Sequence, residues 1–303
     1  MNTTAEPIKK GLFHTPFWLA PEKNTFENRS VRFQELAAAE PGEWRLYLEL
    51  LAAVCAAQHK VALRHTFPLP EKHSGATVLP EAAAGEVPAA FYEVFQDLLN
   101  EVRGNITHTA AAETQRLAAL GKPEAEALAR RVLAQTGEEA DRPAEIWVQA
   151  ALQIVWTAWA AQLAEDDVPP VEERVHCPCC GTEAVGSVVL IQSDLSGFRY
   201  MHCPLCNSRW NALRAKCTTC GDSGGIRIQQ VDGASAPGLP PVFSGAHAES
   251  CEACRTYRKL YRHDKQQYAD PVADDLATLG LDIAVGEAGY ERGGANPFLL
   301  HGG

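Results

Sequence analysis

The chain has 303 residues, 46% hydrophobic and 21% charged, enough for two domains with real cores and far from the composition of a disordered chain. Its formal net charge is -11, with 15 basic and 21 acidic side chains in residues 1–165 and 12 and 17 in the rest. Bulk charge therefore marks neither half as a nucleic-acid binder.

Behind Lys9 and Lys10 there is no apolar run of the length a signal peptide needs, so none is read. The richest apolar segment, 144–164, is interrupted by Glu145, Gln149, Gln153 and Gln162, and no membrane insertion is expected. The expected location is the cytoplasm. A reducing cytosol keeps thiols free, which makes the chain's paired cysteines metal ligands rather than disulfides.

Up to about residue 165 the pattern is helical. Helices are predicted over 29–39 and over 43–62, where Tyr47, Leu50, Leu51, Val54, Ala57 and Val61 recur at helical steps. Pro68, Pro70, Pro80 and Pro88 then break the chain. Helical signals resume over 88–103 (Phe91, Val94, Phe95, Leu98, Leu99), 109–120, 123–136 and 142–164, with Pro123 and Pro143 near the starts of the last two. Trp147, Trp156 and Trp159 read as helical core, as does Cys55 among Val54, Ala56 and Ala57. Asp166 to Pro170 read as a linker, so that residues 1–165 form an α-helical domain and 171–303 a cysteine-rich one.

In the second half, 188–191 and 198–201 read as two strands around the turn 193–197, and Ile226 to Val231 as a half-buried strand. A loop carrying Pro237, Gly238, Pro240 and Pro241 follows. Cys251 to Lys265 is expected to be helical, and Asp270-Pro271 to cap a further helix with Val272, Leu276, Leu279 and Ile283 on one face.

Four Cys-x-x-Cys pairs punctuate this half: Cys177/Cys180, Cys203/Cys206, Cys217/Cys220 and Cys251/Cys254, separated by 22, 10 and 30 residues. A two-residue gap lets a tight turn aim both sulfurs at one ion, and two such turns complete a tetrahedral thiolate site. The hairpin between the first two pairs implies sequential pairing. Cys177, Cys180, Cys203 and Cys206 would hold one ion in a module of about 171–212; Cys217, Cys220, Cys251 and Cys254 would hold the other in a module of about 213–268. A cross-braced arrangement of the RING kind fits poorly, because ten residues separate Cys206 from Cys217.

Cys179 breaks the chelating spacing and is read as a spare thiol, either exposed or a small packed side chain. His176 and His202 each precede a pair whose site already has four sulfurs, which leaves them packing or hydrogen-bonding roles. Arg199, Arg209, Arg214 and Lys216 lie in an acid-free stretch, and Arg255, Arg258, Lys259, Arg262 and Lys265 follow the last pair. Two readings stand for these cations: compensation of dianionic metal-thiolate centres, or a basic docking face. Four thiolates suit zinc and iron alike, and a structural zinc ion is the starting expectation. No Ser-His-Asp order, phosphate loop or carboxylate pair stands out, and no strand-helix-strand context makes a redox motif of any Cys-x-x-Cys, so an enzyme is not expected.

The run Phe198-Arg199-Tyr200-Met201-His202-Cys203-Pro204-Leu205-Cys206, continuing through Trp210, Arg214, Lys216, Cys217 and Cys220, resembles the formate dehydrogenase accessory protein family, FdhE. The likeness extends through Glu249-Ser250-Cys251, Thr256-Tyr257, Val272 to Ala277, Gly289-Tyr290 and Asn296-Pro297-Phe298-Leu299. It implies a cytoplasmic, non-catalytic maturation factor that binds the catalytic subunit of respiratory formate dehydrogenase and carries two iron ions in rubredoxin-like four-cysteine sites, with zinc as the alternative metal. The expected fold is α+β: a helical N-terminal domain, two tandem rubredoxin-like or zinc-ribbon-like metal modules, and a C-terminal helix. The rivals are a zinc-ribbon module for protein or nucleic-acid interaction and a thiol oxidoreductase; self-association is left open.

Overall fold

A computed structural model of the chain describes residues 15–71, 77–170, 175–191, 195–214, 216–230 and 245–299. The loop expected around 237–241 and the first residues of the 193–197 turn lie outside these described residues.

The first half is built from α1 (Thr25–Ala39), α2 (Trp44–Arg64), α3 (Phe91–Val102), α4 (His108–Ala118), α5 (Lys122–Leu133) and α6 (Arg142–Ala160). In α3 the apolar residues fall on one stripe, and Phe91, Val94, Phe95, Leu98, Leu99 and Val102 are all buried. Apolar almost all round, α6 forms the centre of the bundle, with Trp147, Val148, Leu152, Val155 and Trp156 buried. Its few polar groups find partners: Gln58 donates to Gln153 Oε1 at 2.7 Å, and the Trp156 and Trp159 indoles donate to the carbonyls of Pro80 and Pro68. The proline-rich connection after α2 is thereby pinned to the core. By length and composition α2 is apolar enough to cross a membrane, but it buries Leu48, Leu51, Val54, Cys55 and Val61 in the bundle and turns Arg45, Glu49 and Lys60 outward, as a core helix does.

The second half contributes β2 (Gly186–Val189), β3 (Arg199–His202), β4 (Arg209–Ala212), β5 (Ile226–Gln229), β6 (Ala246–Cys251), β7 (Thr256–Arg262) and β8 (Glu291–Arg292); β1 (Trp18–Leu19) joins them from ahead of α1. The strands form one sheet in the order β1-β4-β3-β2-β7-β6-β5, with β8 also against β7. The predicted hairpin is β2–β3, in antiparallel register Gly186↔His202. Parallel pairing of β2 with β7, from Ser187↔Leu260 to Val189↔Arg262, fuses the two cysteine modules into that sheet.

Two expectations fail. The segment Cys251 to Lys265 is a turn followed by β7, not a helix. Covered on both faces between β2 and β6, β7 buries Tyr257, Arg258, Lys259, Leu260 and Tyr261 in succession, so it shows no period-two pattern to read. Its cations are kept inside by ion pairs rather than solvated on a helix surface.

The second failure is the helix after Pro271. Asp270 does cap it, accepting from the backbone N–H of Val272 and Ala273 at 2.9 Å each, but it divides at Thr278 into α7 (Ala273–Ala277) and α8 (Leu279–Glu287). At the division the Lys259 ammonium donates to the carbonyls of Asp275 and Thr278, which also accept the N–H groups of Thr278 and Leu281 in tight three-residue turns. The shifted register buries Leu281 and Val285 and leaves Ile283 exposed.

The main hydrophobic core runs without a break from the helices into the first module. It contains Phe33, Leu51, Phe95 and Trp156 together with Cys177, Cys179, Cys180, Cys203, Cys206, Trp210, Leu276 and Phe298.

Candidate metal centres

The eight paired cysteines gather into two groups of four, Cys177/Cys180/Cys203/Cys206 and Cys217/Cys220/Cys251/Cys254, with all sulfurs of a group within 4.8 Å of one another. The pairing is sequential. Across the first group Cys177 Sγ lies 3.5 Å from Cys206 Sγ and Cys180 Sγ 3.5 Å from Cys203 Sγ. Across the second, the corresponding separations are 3.7 Å for Cys217 to Cys254 and for Cys220 to Cys251. A tetrahedral ion with bonds of about 2.3 Å to sulfur needs edges of about 3.8 Å. The sulfurs thus stand at the corners of a site that fits a four-thiolate ion, and that fit holds for zinc and iron alike.

All four turns share one backbone design. The N–H four residues after the first cysteine donates to that cysteine's carbonyl: Gly181 to Cys177 at 2.9 Å, Asn207 to Cys203 at 3.1 Å, Gly221 to Cys217 at 3.0 Å and Arg255 to Cys251 at 2.9 Å. Closing the loop this way puts the donating residue in the left-handed region, with φ of 74°, 57°, 79° and 59° in turn. Glycine takes that conformation freely and asparagine with modest strain. Arginine at the fourth turn is held by its surroundings, stacked 4.0 Å from the Tyr290 ring and bonded to Glu252 and to the Ala288 carbonyl.

Further N–H groups point at the sulfurs: Cys179 N at Cys177, Cys206 N at Cys203 and Thr219 N at Cys217, each at 3.4 Å. Hydroxyls that composition alone did not single out complete the shell. Ser208 Oγ lies 3.0 Å from Cys206 Sγ and 3.4 Å from Cys177 Sγ, Thr182 Oγ1 is 3.4 Å from Cys180 Sγ, and Thr256 Oγ1 is 3.0 Å from Cys254 Sγ. Each sits two residues after the second cysteine of its pair, so Cys-x-x-Cys-x-Thr/Ser was the signal to read.

Four buried thiols this close cannot all ionise independently. Burial pushes Cys180, Cys203 and Cys206 well above the ordinary thiol value, while at Cys177 the same burial is overcome by hydrogen bonds from Cys179 and the three other thiols, which hold it well below. A divalent cation removes the conflict by taking all four as thiolates. In the second group burial of Cys254 is outweighed by its bonds from Thr256, and its thiol falls to about 7.

The remaining candidates sort as follows. Cys179 is fully buried in the main core rather than exposed, and its thiol is pushed far up, first by its bond to the Cys177 sulfur. Cys55 is core, as read, with burial raising it to about 12. His176 is exposed, whereas His202 is buried with its two ring nitrogens 3.4 Å from Arg29 and Arg209. Most of the cations read as charge compensation or as a docking face are paired within the chain. Arg199 pairs with Glu249, Arg209 with Glu22, Arg255 with Glu252, Arg258 with Glu183, Lys259 with Asp275 and Asp282, and Arg262 with Asp264. Arg199, Arg258 and Lys259 are buried. Six of the nine named cations are thus paired with carboxylates of the same chain.

Models of the FdhE N-terminal, central and C-terminal domains match residues 15–173, 176–214 and 215–299 in succession. The chain belongs to the FdhE family. Among curated relatives, a FdhE homolog of Haemophilus influenzae is 30% identical over 283 residues, covering 93% of this chain and 90% of its own. One from Actinobacillus pleuropneumoniae is 32% identical over 295 residues, covering 94% and 92%. The crystal structure of the FdhE protein from Pseudomonas aeruginosa superposes with a TM-score of 0.81 at 27% identity, covering 95% of this chain and all of that one. Membership of the FdhE family implies a role in formate dehydrogenase maturation.

Proposed function

We propose that this FdhE protein acts in the cytoplasm as a non-catalytic accessory factor that binds the catalytic subunit of formate dehydrogenase and carries one iron ion in each four-cysteine group. The observation that carries this reading is the joining of two facts in one chain: family matches along its whole length, and eight cysteines brought to tetrahedral spacing in two groups. Ligand geometry is equally suited to zinc, and iron is favoured by the family resemblance alone. The nucleic-acid alternative loses its main support, because the cations it would use are engaged by carboxylates of the same chain.

Tagged protein isolated without oxygen from cells making formate dehydrogenase tests the reading. The catalytic subunit should co-elute, and metal analysis should return two iron ions per chain. Elution of the subunit apart from the tagged protein would sink the partner assignment, and zinc with no iron would sink the metal assignment.

A further inference from the structure

The two four-cysteine groups have equivalent ligands in opposite settings. In the first group all four cysteines are buried to within 1% exposure. In the second, Cys217 and Cys251 are buried, Cys254 is half-buried and Cys220 is exposed.

The difference lies in what covers the outer side of each turn. Leu79 N donates to the Cys179 carbonyl at 2.8 Å and Ala82 N to the Cys180 carbonyl at 3.0 Å, so the connection after α2 lies over the first turn. Gln153 donates to the Pro204 carbonyl at 2.8 Å, and Thr157 Oγ1 to the Leu205 carbonyl at 3.4 Å, so α6 covers the second turn. At the same places in the other module stand Thr219 and Cys220, and Glu252 and Ala253, all exposed; among the described residues no backbone N–H donates to the Thr219 or Cys220 carbonyl. The sequence follows the same division. The first two turns carry Pro-Cys and Pro-Leu between their ligands, the last two Thr-Thr and Glu-Ala.

We propose that the second group is a ligand-exchange site, with Cys220 as the thiolate displaced by an incoming soft donor such as a small thiol, while the first group keeps its ion as part of the core. In the exchange, the bond from the ion to Cys220 sulfur breaks as one to the incoming sulfur forms. The entering thiol's proton passes to Cys220, and no electron changes hands. Opening the first group in the same way would require its covering hydrogen bonds to part as well, which slows it by at least about tenfold. The inference rests on the metal-binding reading but not on which metal is bound or on the partner.

The test is made on the full chain loaded with zinc, after direct analysis has established two equivalents per chain; fewer than two would defeat the metal-binding reading itself. Excess 4-(2-pyridylazo)resorcinol is then added and the coloured zinc complex followed. One equivalent should leave fast and one at least about tenfold more slowly, with reduced glutathione accelerating the fast phase alone. Cys220→His, which keeps a donor at the position, should change the fast phase and leave the slow one unaltered. A single phase for both equivalents, glutathione acceleration of both, or a slow phase altered by Cys220→His would each overturn the proposal.

Discussion

Replacing Arg199 by methionine should unfold the junction between the two cysteine modules rather than weaken a docking surface. Arg199 on β3 is 1% exposed and donates to both carboxylate oxygens of Glu249 on β6, at 2.7 and 3.0 Å, and to Ser187 Oγ on β2 at 3.1 Å. Glu249 is itself 4% exposed at its side chain. Breaking a buried pair by removing one partner costs about 3–5 kcal/mol, because the other charge stays behind in a poor solvent. Replacing both by apolar residues restores much of that, so Arg199→Met/Glu249→Met should be more stable than Arg199→Met. The pH dependence identifies the cause. Burial raises the Glu249 carboxyl and Arg199 opposes that rise, so without Arg199 it climbs further. A carboxyl whose folded value lies above its unfolded value is a burden above that value and is relieved as pH falls through it. The Arg199→Met deficit, measured by urea unfolding of zinc-loaded protein, should therefore be largest near pH 8 and shrink toward pH 5. A deficit under about 1 kcal/mol, or one that the second substitution fails to reduce, would refute the reasoning.

Asp270 is opposed by burial but held near 2 by Arg29, so it stabilises the fold above about pH 4 and that contribution fades between about 4 and 2; Asp270→Asn should cost about 2 kcal/mol at pH 7, with the gap to wild type narrowing in acid on chemical denaturation. Cys203→Ser should remove one equivalent of bound metal and destabilise the surrounding module, whereas Cys179→Ser should keep both equivalents and cost about 1–3 kcal/mol for a hydroxyl in the core, by metal analysis and unfolding of the same preparations. Gly181→Ala places a methyl group on a residue at φ 74°, 3.0 Å from Glu81 Cγ, and should cost about 1–2 kcal/mol in the same unfolding assay.

The helical half was legible because its apolar residues keep helical spacing, as Phe91 to Leu99 do in α3, and because prolines mark the breaks. The ligand grouping was legible because the runs 188–191 and 198–201 read as a hairpin that closes the first pair onto the second, as the β2–β3 pairing does. β7 was not, since a strand buried on both faces with internal ion pairs looks like a charged helix when only its composition is seen. Nor could the fate of Arg199 and Arg258 be read, because their partners, Glu249 and Glu183, lie 50 and 75 residues away in the chain. The exposed reading of Cys179 failed for a related reason. Its burial is imposed by residues 79–82, roughly a hundred positions earlier, whose backbone lies across the first turn.

The proposed function requires that formate dehydrogenase become active only when this FdhE protein is present. It is tested most directly by formate oxidation in a strain lacking the gene, complemented either with the wild-type chain or with Cys203→Ser. Activity should vanish in the deletion while transcript for the catalytic subunit stays level, return with the wild-type chain, and fail to return with the variant. Normal formate oxidation in the uncomplemented deletion strain would contradict it.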